Sequence, residues 1–141
     1  MSITVCIVDS QKVICRTVAD EVILPGIDGL IGILDGHVSI MTMLDIAGLL
    51  RLKVNGKWTP IVLQKGVAAI YYNSITLMAE KVEEFPEFPN SKKFNEITKE
   101  LENAIINFQQ VKTKKDRIEA YGEMKKAKAR VEALKYLSKK E

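Results

Sequence analysis

The sequence predicts an α+β fold, mainly β at its N-terminus, in which an antiparallel β-sandwich or barrel precedes a C-terminal hairpin of two antiparallel α-helices. Apolar residues alternate with the period of two of half-buried strands through the first part of the chain. After Pro86 and Pro89 they recur every three or four positions, the period of helices. Because proline fits neither a central strand nor a helix interior, these prolines divide a β domain, residues 1–86, from a helical hairpin, residues 87–141.

The first domain divides into short strand-like runs separated by turn residues. Strands are predicted at residues 3–8, 12–18, 21–24, 30–34, 38–43, 49–54, 58–63, 67–72 and 74–79. The turn signals between them are Pro25-Gly26, Asp28-Gly29, Asp35-Gly36, Asn55-Gly56, Lys65-Gly66 and Asn73-Ser74. Asn55-Gly56 is the clearest, because a type I′ hairpin turn needs a positive φ at both central residues. Closely spaced short strands favour a sandwich or barrel and leave no room for the crossover helices of a parallel sheet.

The second domain carries two narrow apolar stripes, joined by a polar link at residues 112–116. The first helix, capped by Asn90 or Ser91, presents Phe94, Ile97, Leu101, Ala104, Phe108 and Val111. The second presents Ala120, Met124, Ala127, Val131 and Leu134. Each stripe takes about two positions in seven, which is typical of a coiled-coil seam. Such a hairpin buries little apolar area, so we expect it to need a partner surface or to change shape.

Charge is distributed unevenly between the two parts. Residues 1–85 hold seven basic and nine acidic side chains, whereas residues 86–141 hold fourteen and nine, so the net charge changes from −2 to +5. This change of sign indicates two parts with different partners. In the basic segment 112–141 a solvated helical face is the favoured explanation, an acidic protein partner the second and nucleic acid the third, because no known nucleic-acid-binding module is present.

Membrane insertion and export are not predicted. The most apolar stretch, residues 31–50, is interrupted by two aspartates, a histidine and three glycines, so it does not read as a membrane-spanning helix. The N-terminal residues begin directly in a strand-like pattern, without the features of a signal or transit peptide. Cys6 and Cys15 lie in apolar runs and are expected to be reduced, buried thiols. Any association with a membrane is therefore expected to go through a partner.

Candidate chemistry is sparse. His37 is the sole histidine, and no nucleophile motif accompanies it, so a turn or interface position is favoured over a catalytic base. Gly26, Gly29 and Gly32 have neither dinucleotide-binding nor P-loop spacing, and they lie between predicted strands. The sequence therefore predicts no catalytic residue, no cofactor site and no metal site.

Three segments together resemble one known family. Residues 21–37 read EVILPGIDGLIGILDGH, residues 64–68 read QKGVA, and residues 123–133 read EMKKAKARVEA. Their order and spacing are similar to those of the epsilon subunit of F-type (F1) ATP synthase, and the resemblance covers essentially the whole chain. It is closest to the chloroplast and cyanobacterial branch. Lys65 stands where the family pattern has a glycine.

The resemblance implies a non-catalytic central-stalk subunit, part of the rotor of a proton-translocating F1Fo ATP synthase. The sandwich would bind the gamma subunit and the c ring and help couple proton flow to ATP synthesis. The hairpin would switch between a compact form and an extended form that inhibits ATP hydrolysis at the catalytic beta and alpha subunits. The subunit would be a peripheral membrane protein on the stromal face of the chloroplast thylakoid membrane. The cytoplasmic face of a bacterial cell or thylakoid membrane is the alternative location.

The resemblance also assigns two sets of interface residues. The c-ring and gamma contacts map to Asp28, Gly29, Leu30, Ile31, Gly36 and His37. The inhibitory helix face maps to Lys125, Lys126, Lys128 and Arg130. At 100° per residue, Lys125, Lys126 and Arg130 point away from the apolar stripe of the second helix, and Lys128 flanks it. We therefore expect these charges to be free to meet another protein.

The nucleotide-binding motif of some relatives is altered here. The matching stretch, residues 88–93, reads FPNSKK and lacks the acid of that motif, so no bound nucleotide is expected despite Arg130. Two other functions remain open from the sequence. One is a stand-alone β-sandwich adaptor whose basic helical tail binds an acidic protein partner. The other is a small hydrolase that uses His37.

Overall fold

A computed structural model describes residues 2–34, 39–85 and 91–138 of the chain, within which eight strands precede two helices. The strands are β1 (Ile3–Val8), β2 (Val13–Ala19), β3 (Glu21–Gly26), β4 (Gly29–Ile33), β5 (Ile40–Met43), β6 (Ala47–Val54), β7 (Lys57–Tyr71) and β8 (Ser74–Glu84). The helices are α1 (Ser91–Gln110) and α2 (Lys114–Ser138). This confirms the predicted fold class. The predictions at Asp35-Gly36, Pro86, Pro89 and Asn90 fall outside the described residues.

The strands form one hydrogen-bonded sheet folded into two layers. The order is β2-β1-β8-β7-β6-β3-β4, with β5 paired to β7 off this path. The first half of β7 pairs with β6, and its second half pairs with β5. We call the layer of β4, β3, β6 and the first half of β7 the covered sheet. The layer of β5, the second half of β7, the first half of β8, β1 and β2 is the open sheet.

The corner between the layers lies at Lys65-Gly66, where the sequence predicts a turn between two strands. That prediction is wrong, because β7 runs on through 15 residues and changes its partner there. The Lys65 backbone N–H donates to the carbonyl oxygen of Ile46 at 3.0 Å, and that of Leu44 donates to Gly66 at 2.9 Å. A Cβ on residue 66 would lie 1.9 Å from the Met78 carbonyl oxygen, so this close approach of two strands requires glycine.

Of three other turns predicted from the sequence, one is confirmed, one is shifted by a residue and one is wrong. Asn55 and Gly56 have φ angles of 52° and 78° between the paired residues Val54 and Lys57, which confirms the two-residue hairpin. The β7–β8 turn lies one residue earlier than predicted, at Tyr72-Asn73, because Tyr71 pairs with Ser74. Between β3 and β4 there is one turn, at Ile27-Asp28, so the predicted turn at Pro25-Gly26 is instead the end of a strand.

One strand pair is parallel, contrary to the expectation of antiparallel pairing throughout. β1 runs parallel to β8, with Thr4 opposite Ser74 and Val8 opposite Met78. The connection between them is the whole intervening sandwich, so no crossover helix is needed. The remaining described pairs are antiparallel.

A single hydrophobic core lies between the two layers. Inward residues of the open sheet, such as Val5 and Leu77, meet inward residues of the covered sheet, such as Leu50 and Leu63. Each of these side chains is fully buried, and they alternate along their strands with residues of the opposite face. The apolar residues that recur with a period of two in the sequence are thus the residues that form this core.

The second helix lies on the outside of the covered sheet. Ala129 and Ala133 pack against Leu49 and Val62 of the sheet. A different face of the same helix, with Val131, Leu134 and Leu137, packs against Ile97 of α1. At its start the Asp116 backbone N–H donates to Thr113 Oγ1 at 3.1 Å, an N-cap. The end of the predicted stripe, Val131 and Leu134, is thus buried against α1. The expectation of one narrow face is wrong, because Ala129 and Ala133 on a second face dock the helix on the sandwich.

Candidate functional site

The outward side of the open sheet is an exposed apolar surface, which we call the open face. Because Ile3, Val5 and Ile7 point into the core, the alternate residues of this layer point out. The open face consists of Thr4, Cys6, Val8, Val13, Arg16, Val18, Met41, Met43, Val67, Ala69, Tyr71, Ser74, Thr76 and Met78. Arg16 is the one charged side chain among these fourteen described positions. Met41, Tyr71 and Met43 are 76%, 65% and 58% exposed.

Strand register aligns the apolar side chains of this face into rows. One row crosses all five strands in the order Met43, Val67, Met78, Val8, Val13. Directly opposite side chains on one face of a sheet lie close enough to touch, so the row is a continuous apolar ridge. This surface was not predicted from the sequence. Its signal was available in runs such as VAAIY at 67–71, which are apolar at every position and so on both faces of the strand.

The tip of the β3–β4 hairpin is a second exposed apolar feature. Ile27 and Leu30 are 51% and 65% exposed, and Asp28 and Gly29 lie between them. The Ile27 backbone N–H donates to the carbonyl oxygen of Met43 at 3.0 Å, so the tip adjoins β5 and the edge of the open face.

The predicted c-ring and gamma residues divide into three groups. Asp28, Gly29 and Leu30 lie together at the exposed tip. Ile31 is partly buried against the central core. Gly36 and His37 lie outside the described residues.

Two charged residues predicted for the inhibitory face are held within the chain. Lys125 Nζ lies 2.7 Å from Asp45 Oδ2, with both side chains about three-quarters buried. The hydrogen bond to the Asp45 carboxylate raises the pKa of Lys125 above its usual value. The Arg130 guanidinium contacts two carboxylates. Its Nη1 donates to Glu100 Oε2 at 2.7 Å, and its Nε lies 3.1 Å from Glu83 Oε1.

These contacts correct the expectation that the basic residues of α2 are free. Lys125 is tied to the segment between β5 and β6, and Arg130 joins α2 to both α1 and β8. Lys126 is half-buried, whereas Lys128 is exposed. The error arose because the helical projection placed these residues relative to the apolar stripe alone and took no account of the carboxylates of α1 and of the sandwich within their reach.

A further charged contact lies on the same side of α2. Arg51 of β6 is 12% exposed, its Nη2 lies 3.6 Å from Glu132 Oε2, and its guanidinium lies over the Tyr136 ring at 5.3 Å. Because the carboxylate of Glu132 is not within close hydrogen-bonding distance, the cation–π contact with the Tyr136 ring adds to the stabilisation of the Arg51 guanidinium. The helix is thus fastened to the sandwich by the ion pairs of three basic residues, Arg51, Lys125 and Arg130, and by the apolar contacts of Ala129 and Ala133.

The clefts of the molecule follow the borders of α2. A groove of about 690 Å³ lies between the start of α2 and the corner of the sandwich, with Lys65, Glu80 and Ile118 among its walls. A cleft of about 380 Å³ separates the β3–β4 hairpin from α2, between Leu30 and Lys128.

Within the described ranges, no three metal-ligating side chains come together. None of the helices described is long and apolar enough to cross a membrane.

The two cysteines lie on opposite sides of the open sheet. Cys6 belongs to the open face, whereas Cys15, opposite Ile7, packs against the core. Burial raises the pKa of the Cys15 thiol, so this thiol is a weaker nucleophile than a free one.

Comparison with known proteins identifies similar sequences along the whole chain. A family model described as "ATP synthase, Delta/Epsilon chain, beta-sandwich domain" matches residues 2–85. The chain is 48% identical over 138 residues to the ATP synthase epsilon chain, chloroplastic, of Trieres chinensis, covering 98% of this chain and 100% of that protein. It is 39% identical over 117 residues to the ATP synthase epsilon chain of Prochlorococcus marinus (strain MIT 9515), covering 83% and 86%.

Two solved structures share the fold. A chain of the Euglena gracilis mitochondrial ATP synthase OSCP/F1/c-ring structure matches with a TM-score of 0.76 at 19% identity, covering 94% of this chain and 81% of that chain. A chain of the Tetrahymena thermophila mitochondrial ATP synthase central stalk and c-ring structure matches with a TM-score of 0.51 at 12% identity, covering 99% and 96%. At such identities the likeness concerns the fold alone.

Proposed function

Because this chain belongs to the ATP synthase epsilon-chain family, we propose that it is the non-catalytic central-stalk subunit of a chloroplast-type F1Fo ATP synthase. It is a rotor part that helps couple proton flow to ATP synthesis and restrains ATP hydrolysis. The relatives named chloroplastic support the type of complex. The similar chains in F1 and central-stalk structures support the place of the fold within it.

The open face is the observation that carries this proposal. Monomeric proteins rarely expose a contiguous apolar surface of this kind unless it binds something. The covered sheet has its own α2, whereas the open sheet has no counterpart among the described residues. The open face carries one charge, so its partner is expected to be apolar rather than acidic. We assign it to the gamma subunit.

The tip of the β3–β4 hairpin is assigned to the c ring. Ile27 and Leu30 are exposed at the end of a hairpin whose two strands are paired up to Gly26 and Gly29. The backbone of the tip is therefore already ordered before a partner binds. The tip adjoins the edge of the open face, so one partner assembly can contact both surfaces.

The helical hairpin is assigned an inhibitory role, in which Lys125, Lys126, Lys128 and Arg130 meet the catalytic beta and alpha subunits. In the docked hairpin, Lys128 is the exposed member of this set. Lys125 and Arg130 become available when α2 leaves Asp45, Glu83 and Glu100. Docking and inhibition therefore compete for the same charges.

The location follows from the assembly. We place the chain on the stromal face of the thylakoid membrane, held there by the complex. The chloroplastic relatives support this compartment.

Reconstitution tests the function. The purified full chain is mixed with a chloroplast-type F1 that lacks this subunit, and binding and ATPase activity are measured. We expect one chain bound per complex and a lower ATPase rate. Met41→Asp with Met78→Asp should weaken binding, whereas Asn55→Asp, at an exposed turn of the other layer, should leave it unchanged. A chain that ignores this complex but binds an acidic protein would instead be a stand-alone adaptor.

A further inference from the structure

Tyr72 occupies a backbone conformation that its side chain disfavours. It lies in the two-residue turn between β7 and β8, with a φ of 54°. This left-handed region suits glycine and, next best, asparagine or aspartate. For a bulky residue it is a true outlier, and such outliers persist where the surroundings or the function require them.

The chain offers little compensation for this conformation. Tyr72 is 69% exposed, and its ring meets the Tyr71 ring edge to face, with centroids 4.5 Å apart. Tyr71 is itself 65% exposed. A pair of rings that both remain in water contributes much less than a buried pair. A glycine or asparagine at position 72 would make the same turn with less strain.

The tyrosine pair is continuous with the open face. Tyr71 is an outward residue of β7, and it pairs with Ser74, which lies opposite Thr4 of β1. The Tyr72 ring extends this surface beyond the end of the strand. The pair thus stands at the opposite end of the open face from the Met43–Val67–Met78 row.

We propose that Tyr71 and Tyr72 form an aromatic anchor by which the open face binds the central-stalk subunit that covers it, and this inference rests on the proposed function. The Tyr72 ring enters an apolar pocket of the partner, and this intermolecular contact is why the turn keeps a strained tyrosine. Tyrosine is favoured for such anchors because it brings a large contact area at a low cost in side-chain entropy.

An opposite-sign experiment separates this role from a structural one. Tyr72→Gly relieves the backbone strain and removes the ring. The unfolding midpoint of the full chain should therefore stay equal or rise, while its Kd for F1 lacking this subunit should rise about tenfold or more, as for an interface hot spot. Tyr72→Phe keeps the ring and should bind within about threefold of wild type.

Asn55→Gly is the matched control. Asn55 has a φ of 52° in the β6–β7 turn, so the same substitution relieves a left-handed residue away from the open face. It should not change the Kd. Binding of Tyr72→Gly within about threefold of wild type would overturn the anchor, and so would a fall in its unfolding midpoint.

The Met41→Asp, Met78→Asp variant distinguishes failure of the tyrosine anchor from failure of the open face as the binding surface. If it loses binding while Tyr72→Gly does not, the docking face is right and the anchor is wrong. If neither variant loses binding, both the anchor and the assignment of the open face to this partner fail.

Discussion

Lys125 Nζ lies 2.7 Å from Asp45 Oδ2, so the middle of the second helix is tied to the short segment that joins β5 to β6. The same segment is tied to the β3–β4 hairpin, because the Asp45 backbone N–H donates to the Pro25 carbonyl oxygen at 2.9 Å. One aspartate therefore connects the helix to the base of the exposed tip. Whatever moves one of these elements acts on the position of the other.

Lys125→Met should weaken the docking of α2. Loss of a partly exposed ion pair is expected to lower stability by about 0.5–1 kcal/mol. The pKa of Lys125 is raised in the folded chain, so its contribution is fully present below the unfolded pKa of about 10.5 and is lost as pH rises through the folded value. The stability difference between wild type and variant, measured by urea denaturation, should be constant from neutral pH to about pH 10 and should fall only above about pH 10.5, as the pH rises through the raised pKa of Lys125. A difference that vanishes near pH 8 would contradict this assignment.

Arg130→Gln should loosen both helices together, because this one guanidinium contacts carboxylates of α1 and of β8. We expect a loss of about 1–2 kcal/mol, since the hydrogen bond to Glu100 joins two charged groups but the side chains of Glu83 and Glu100 are 37% and 57% exposed. Hydrogen exchange should accelerate in residues 91–138 and not in the sandwich core. Lys128→Gln, which removes an equal charge from an exposed position of α2, is the control and should leave exchange unchanged.

Leu30→Asp tests the hairpin tip. The side chain is 65% exposed, so the isolated chain should lose less than about 0.5 kcal/mol of stability. Binding to an assembled rotor with its c ring should nevertheless weaken, because the new charge must be desolvated there. Ile31→Asp, next to it in sequence but packed against the core, should unfold the sandwich instead. Equal loss of fold and binding in Leu30→Asp would mean that Leu30 has a structural role.

Gly66→Ala should disrupt the corner of the sandwich. Its Cβ would lie 1.9 Å from the Met78 carbonyl oxygen and 2.8 Å from Ala79 Cα, and neither backbone atom can move without breaking strand pairing. We expect a loss of about 2 kcal/mol or more in urea denaturation. Gly32→Ala in β4 is the comparison, since nothing lies within 4 Å of its added Cβ. Similar stability of the two variants would exclude the close approach described here.

Residues 1–86 should fold without the hairpin, because the main core is made by the two sheets alone. The truncated chain should bind F1 through the open face but fail to lower its ATPase rate. It should also bind a hydrophobic dye more strongly than the full chain, since removal of α2 exposes Leu49 and Val62. An unfolded or non-binding fragment would show that the hairpin is part of the core unit.

Local signals in the sequence predicted local structure well. Asn55-Gly56 determines its turn by backbone preference alone, and the alternation in residues 3–8 locates β1 to the residue. Lys65-Gly66 is different, because the same residue types that make a turn also make a bend at which a strand exchanges one neighbour for another. Which of the two occurs depends on the pairing of β7 with β5 and β6. This pairing forms only with the sheet, so the dipeptide alone does not reveal it.

The interfaces were harder to predict than the elements. The sequence places Arg130 away from the apolar stripe of α2, but its long side chain still reaches Glu100 of α1 on one side and Glu83 of β8 on the other. The open face could not be predicted for a related reason. A strand that is apolar on both sides has the same sequence pattern whether both sides are buried or one is exposed. Such features depend on how whole layers stack, which periodicity within one segment does not specify.

The parallel pairing of β1 with β8 has a consequence for biosynthesis. Thr4 leaves the ribosome early, but its neighbour Ser74 is made only after six other strands. The first strand therefore has β2 as its sole early neighbour, and the sheet can close only when most of the first domain has been translated. Until β8 has been made, the edge of β1 that will pair with it stays unpaired, and contacts so distant along the chain are also slow to form.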